Sequence, residues 1–364
     1  MKMMARVAAC LLFAMEGLAQ EATRPPALVL ANDRLELTIQ GTGGTFSKLL
    51  LRDGEPISPL ASIGHFLALD GFGAPSQQEA AAGMPFHGEA SKQVVKVIGS
   101  QDSGPVRSIR FQLALPLAQE TLTRTIEMVQ GENVVSVTSD LESGMAVDRP
   151  VSWAEHATIG PPFLEKGQTV VDMPALRCRV RPFKPGPISG RLVYERDFVW
   201  PLAPTKDNGQ ADLRAVPAEN YLDLASCQMD PKRKLAFVTA LHLSKRLLFG
   251  YVFRQQDYPW LMSWMNYTGD NRAARGMEFS TQPFDISHQE TVAMSPLFDT
   301  PTFRWLPARS KLQTRFLFFY VRVPEGFTRI DDVMLEGGKL TIVDRSGTRL
   351  VLPATRGLGT EGIL

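Results

Sequence analysis

The feature that most narrows the fold is a side-chain period of two, repeated along nearly the whole chain. Leu35, Leu37 and Ile39 alternate with Glu36 and Thr38. Ile109, Phe111, Leu113 and Leu115 alternate with Arg110, Gln112 and Ala114. Leu122, Ile126 and Met128 lie opposite Thr121, Thr123, Thr125 and Glu127. Gly131-Glu132-Asn133 then turns the chain into Val134-Val135-Ser136-Val137-Thr138, so these two runs read as a hairpin. Further strands are expected over 235–243, 247–254, 314–323 and 339–343. In the third of these, Phe316, Leu317, Phe318, Phe319 and Tyr320 follow one another, which suits a strand buried on both faces. Helical periodicity is confined to a turn or two near 77–82. The 29 Gly and 26 Pro are spread through the chain, as many turns require. The pattern predicts an all-β chain: a large antiparallel sandwich with few short helices and with function in loops or on a sheet face.

The N-terminus reads differently. Lys2 and Arg6 precede an apolar run from Val7 to Met15, and Gly17-Leu18-Ala19 offers small residues before Gln20. That run is too short to span a bilayer and has the form of a secretory signal, with cleavage expected after Ala19. A periplasmic or secreted location follows, with no stable membrane insertion. Residues 20–364 show no linker, charge block or repeat, so a single β domain is expected. Loss of Lys2, Arg6 and Glu16 leaves 37 basic and 37 acidic residues. A balanced chain without a basic stripe argues against nucleic acid and suits an uncharged or weakly charged ligand. Cys178 and Cys227 remain. In an oxidising compartment they are able to pair, but spacing alone does not show that they meet.

Three compact segments carry the chemistry. The first is Gly83-Met84-Pro85-Phe86-His87-Gly88-Glu89, the second Trp153-Ala154-Glu155-His156-Ala157-Thr158-Ile159-Gly160, and the third Arg275-Gly276-Met277-Glu278-Phe279-Ser280-Thr281-Gln282-Pro283-Phe284. Glu155 and His156 are consecutive strand residues and should point to opposite faces. Glu278, between Met277 and Phe279, should face away from solvent. A carboxyl group there is either paired or has a raised pKa. That leaves two readings: a general base, or a structural ion-pair partner of Arg275 or Arg272. Trp260, Trp264 and Tyr267 either fill the core or offer flat faces to sugar C–H surfaces, and Trp264 is a candidate for the second role. Arg272 and Arg275 are candidate donors to hydroxyls or to the carboxylate of an acidic sugar, the alternative being that one of them is a solvated surface group. No His, Cys and carboxylate set has metal-ligand spacing, and no Gly-rich loop precedes a helix, so neither a metal nor a nucleotide cofactor is expected.

In order and broad spacing, these three segments resemble the His-Gly, second-His and late-Glu motifs of the galactose mutarotase-like proteins, the aldose 1-epimerase superfamily. The resemblance runs loosely from Leu30 to Val323 and implies an antiparallel β-supersandwich. It also implies a mono- or oligosaccharide partner and cofactor-free interconversion of sugar anomers. Carried over residue by residue, it makes Glu278 the base at the anomeric hydroxyl, His156 the acid at the ring oxygen and His87 a sugar-binding group. The segment before His87 lacks the arginine common in mutarotases. The family's sugar-binding aspartate has no clear counterpart here, with Asn220 or Asp223 in Glu219-Asn220-Tyr221-Leu222-Asp223-Leu224 as the candidates. A carbohydrate-binding protein without catalysis on the same fold is the alternative.

Overall fold

A computed structural model of the chain describes residues 25–182, 190–269 and 273–359. The expected signal segment and Arg272 lie outside the described residues. Alternation is carried directly into sheets. In Glu120–Val129, buried Glu120, Leu122, Arg124, Ile126 and Met128 alternate with half-buried residues, and this strand pairs with Val134–Ser143 as the expected hairpin. Each apolar side chain taken fully from water contributes about 1.5–3 kcal/mol, which sets the register against a one-residue slip.

Three layers result. The first is an 11-stranded antiparallel sheet. From one edge it runs through Leu28–Ala31, Leu35–Ile39, Phe46–Leu51, Leu60–Leu69 and Trp153–Ile159. Two short segments, Ala274–Gly276 and Glu278–Ser280, come next. Trp260–Asn266, Leu222–Met229, Ala175–Val180 and Asp197–Val199 complete it. The second layer is an 8-stranded sheet centred on Leu247–Arg254, Lys311–Arg322 and Val134–Ser143. The main core lies between these two sheets. The third layer is a C-terminal sheet of Ile330–Glu336, Lys339–Asp344 and Arg349–Pro353. It packs on the far side of the 8-stranded sheet, covering Phe237, Leu248, Leu317 and Phe319.

This third layer explains the run of aromatics in Lys311–Arg322. Phe316, Phe318 and Tyr320 enter the main core, while Leu317, Phe319 and Val321 enter the outer one, so the strand is buried on both faces. Cys178 and Cys227 stand directly opposite each other on neighbouring strands and form a disulfide.

Two α-helices are present among the described residues, Gln77–Ala81 and His288–Ala293. Both begin with a capping box, Ser76 with Glu79 and Ser287 with Glu290. The second was not expected, because one and a half turns are too short for an apolar period to register. Its Ser-His-Gln-Glu start was the available signal. The Glu79 carboxylate also accepts from the Gln289 backbone N–H at 2.9 Å, tying the two helices together. They rim a cleft on the outer face of the 11-stranded sheet.

Candidate functional site

Parity within one strand builds the floor of this cleft. In Trp153–Ile159, Trp153, Ala157 and Ile159 face the main core, and Ala154 faces the outer side. His156 shares that outer face and lines the cleft. Its imidazole lies against Phe66, its register partner on Leu60–Leu69, with ring centroids 4.2 Å apart and planes 19° from parallel. Phe72 meets it edge-on at 5.5 Å. Trp264 stands 6.3 Å away, and Leu224 completes the apolar lining.

Glu278 comes from the next strand segment. Met277 and Phe279 enter the main core, which turns Glu278 the other way, into the cleft. Gly276 makes room for it: a Cβ there would stand 2.8 Å from Glu278 Oε1 and 2.8 Å from the Trp264 backbone nitrogen. Glu278 Oε1 faces His156 Nε2 at 3.5 Å, and Oε1 has no hydrogen-bond donor. Burial, and then the neighbouring Asp285 charge, hold the Glu278 pKa well above its ordinary value, with Arg275 and Arg181 opposing. Burial, and then His87, hold the His156 pKa well below the usual imidazole range. Both shifts favour the uncharged form of each partner over an ion pair.

His87 approaches from the cleft wall. Its turn is closed by a hydrogen bond from Gly88 N–H to Pro85 O at 3.0 Å. Gly88 has φ +73° and packs so tightly that a Cβ would fall 2.0 Å from Leu69 O, which only glycine permits. His87 itself has φ +65°. Its backbone N–H donates to Gly73 O, and its Nδ1 accepts from Gly73 N–H, both at 3.0 Å. An accepting Nδ1 assigns the proton to Nε2, making that nitrogen a hydrogen-bond donor. Burial, and then Lys92, lower the His87 pKa to about 4, so it stays neutral. The rings of His87 and His156 meet edge-on at 5.0 Å.

The cleft thus brings together His87, His156, Trp264 and Glu278. Arg275 and Asp223 do not line it. Arg275 is fully buried and donates to Tyr267 Oη, the Leu213 carbonyl and Ser263 Oγ at 3.1, 2.9 and 3.2 Å. Those bonds hold its two terminal nitrogens and none is made to Glu278, while Nε has no hydrogen-bond partner among the described residues. Arg275 shares the odd-numbered parity of Met277 and Phe279, which enter the main core. Asp223 is one residue out of phase with Leu224. It accepts from the backbone N–H groups of Arg191 and Leu192 and so anchors that segment.

Two further groups had no signal in the sequence. Arg181 and Asp285, 104 residues apart, form an ion pair in the cleft. Burial nevertheless pushes Asp285 up to about 7 against the pull of Arg181. Arg181 follows Ala175–Val180, which two strands of the sheet separate from Glu278–Ser280, and Asp285 lies in the loop after Glu278–Ser280, so only the fold brings them together.

Neither a protein-family model nor a curated protein matches the sequence. Solved structures do match the fold. The Slr1438 protein of Synechocystis sp. PCC 6803 is 16% identical, with a TM-score of 0.59 over 82% of this chain and 97% of its own. A galactose mutarotase related enzyme from Lactobacillus acidophilus is 10% identical, with a TM-score of 0.57 over 82% and 99%. A galactose mutarotase-like protein from Lactobacillus casei is 12% identical, with a TM-score of 0.57 over 81% and 100%. The chain has the galactose mutarotase-like fold.

Proposed function

We propose that the protein is an exported aldose 1-epimerase-type enzyme that interconverts the anomers of a sugar by acid–base ring opening. One observation carries this reading: Glu278 and His156 face each other at 3.5 Å on the floor of a cleft, beside a third neutral donor, His87. Ring opening of a hemiacetal removes a proton from the anomeric hydroxyl and adds one to the ring oxygen. A pair that holds one proton between two groups does both. Burial favours that proton on Glu278. A sugar hydroxyl donating to Glu278 would stabilise its carboxylate and move the proton to His156, the arrangement in which Glu278 is the base and His156 the acid. Ring closure reverses the two roles. Each well-placed group contributes ~10²–10⁴-fold. His87 Nε2–H supplies a hydrogen bond to a sugar oxygen, and Phe66, Phe72 and Trp264 supply apolar faces. The chemistry needs no cofactor. The apolar N-terminal segment and the Cys178–Cys227 disulfide support export to an oxidising compartment.

A carbohydrate-binding protein without catalysis is the second reading. The absence of Asp223 from the cleft, and of an arginine from the segment before His87, favours it. NMR measurement of anomeric exchange over a panel of monosaccharides decides between the two. Accelerated exchange that is lost in Glu278→Gln supports the enzyme. Binding without acceleration across the panel leaves the binding protein.

A further inference from the structure

We infer that the cleft contains an outer subsite and that its ligand is a reducing oligosaccharide of two or more rings, held over Phe86 and Ile63. The inference rests on the sugar reading of the inner site.

Size is the first argument. The cleft encloses about 1140 Å³, beyond the roughly 300–1,000 Å³ that suits drug-sized ligands. One pyranose is smaller than such a ligand, so a ring seated at His156 and Glu278 leaves most of the space open.

Chemistry is the second. Phe86 and Ile63 line the cleft, yet are 54% and 43% exposed. An exposed phenyl ring is unusual, because burial would remove its apolar area from water. Here it is held rather than loose. Phe86 and His87 share the tip of the turn closed from Gly88 to Pro85, and their rings are in contact with centroids 4.1 Å apart. His87 points toward His156, and its neighbour is presented at the mouth. The mouth also carries Gln77, Gln289 and Lys92, whose amides and ammonium group donate hydrogen bonds. An apolar platform with polar donors around it matches a pyranose, which has a C–H face and a hydroxyl rim. Direction follows from the inner chemistry. Anomer exchange requires a free reducing end at Glu278, so the non-reducing end of the chain extends outward over Phe86.

The experiment titrates the full-length mature protein with a panel of monosaccharides, and with the disaccharides and trisaccharides that end in each of them. Calorimetry gives affinity, and NMR gives anomeric exchange on the same samples. Tighter binding of the longer sugars is expected. Phe86→Ala should reduce the ratio of trisaccharide to monosaccharide affinity by roughly 3- to 10-fold, the range of an aromatic contact, and Ile63→Ala should reduce it in the same direction through lost apolar contact. Longer sugars that bind no better than the monosaccharide overturn the outer subsite but leave the epimerase reading intact. So does a loss in either variant that is equal for all lengths. Length-dependent binding that Phe86→Ala removes, without exchange at any length, keeps the subsite and overturns the enzyme. Failure of the whole panel to bind overturns both.

Discussion

Two carboxyl groups of the same sheet, Glu155 and Glu278, have opposite fates. Both are buried, and both lie beside a histidine. Glu155 faces the main core. There it accepts from Arg124 at 2.6 Å, His65 Nε2 at 2.9 Å, Trp153 Nε1 at 3.1 Å and Tyr258 Oη at 3.2 Å. Burial pushes its pKa up, but the Arg124 charge and these donors outweigh burial and hold it at about 2. Glu278 faces the cleft and has no donor on Oε1, so burial wins. The difference shows that donors decide the charge of a buried carboxyl group, not burial alone. A saturated carboxylate stabilises the fold but has nothing left to offer a ligand. An unsaturated one costs stability and is available for chemistry.

The largest effect should come from Glu155→Gln. It leaves the Arg124 guanidinium buried without its counter-charge, a loss of about 3–5 kcal/mol. Chemical denaturation should show it, and a variant as stable as wild type would mean that the Glu155–Arg124 pair does not hold the fold.

Next is the acid limb of stability. The Glu155 pKa is depressed, so its contribution is complete above its unfolded value near 4.5 and is lost as pH falls toward about 2. That amounts to roughly 3 kcal/mol. Urea midpoints measured from pH 7 down to 2 should fall through that window, and the fall should be smaller in Glu155→Gln.

Glu278→Gln should do the reverse. Exchange falls by ~10²-fold or more while sugar affinity largely persists. The raised Glu278 pKa makes wild-type stability decline as pH rises above the ordinary carboxylate value. The Gln variant, neutral in both states, should therefore melt at or above the wild-type temperature at pH 7 and higher. Marked destabilisation would mean that Glu278 is structural after all.

The pH–rate profile sharpens the pair as a unit. Protonating both groups leaves no base. Because the His156 pKa is lowered, that limb should lie below the usual imidazole range near ~6.5. Deprotonating Glu278 beside neutral imidazole leaves no acid, and that limb should lie well above the ordinary carboxylate range. A single limb near ~4.5 would contradict a shared proton.

The smallest effect is expected from Gly276→Ala. The added methyl group meets the Glu278 carboxyl and the Trp264 backbone nitrogen, both 2.8 Å from its position, and by displacing the carboxyl from His156 it should lower exchange by about 10-fold, on the scale of a misplaced catalytic group. Affinity for the sugar should change less.

Much of the frame could be read along the chain, because a period of two is a local property. Alternation placed the strands through 109–138. It also put Glu155 and His156 on opposite faces before any partner was known. The Phe316–Tyr320 run announced a strand covered on both sides, although not the C-terminal sheet that covers it. His65 offered no pattern, since its partner Glu155 lies 90 residues on. The Ser287–Glu290 capping box was legible as residues, and its helix was still too short to stand out.

Which residues alternate, and therefore which ones share a face, is written in the order of residues along each strand. Which face became the interior and which the cleft came from packing. That choice depends on the order of strands in the sheets and on what packs over them. Order and register bring together groups that spacing cannot relate: Cys178 with Cys227, Arg181 with Asp285, and His156 with Glu278. They also carry Arg275 inward to Tyr267 and Asp223 to the backbone of Arg191, away from the ligand. Side-chain parity is set by the backbone of one strand, whereas pairing is set by the free energy of the whole packed sheet.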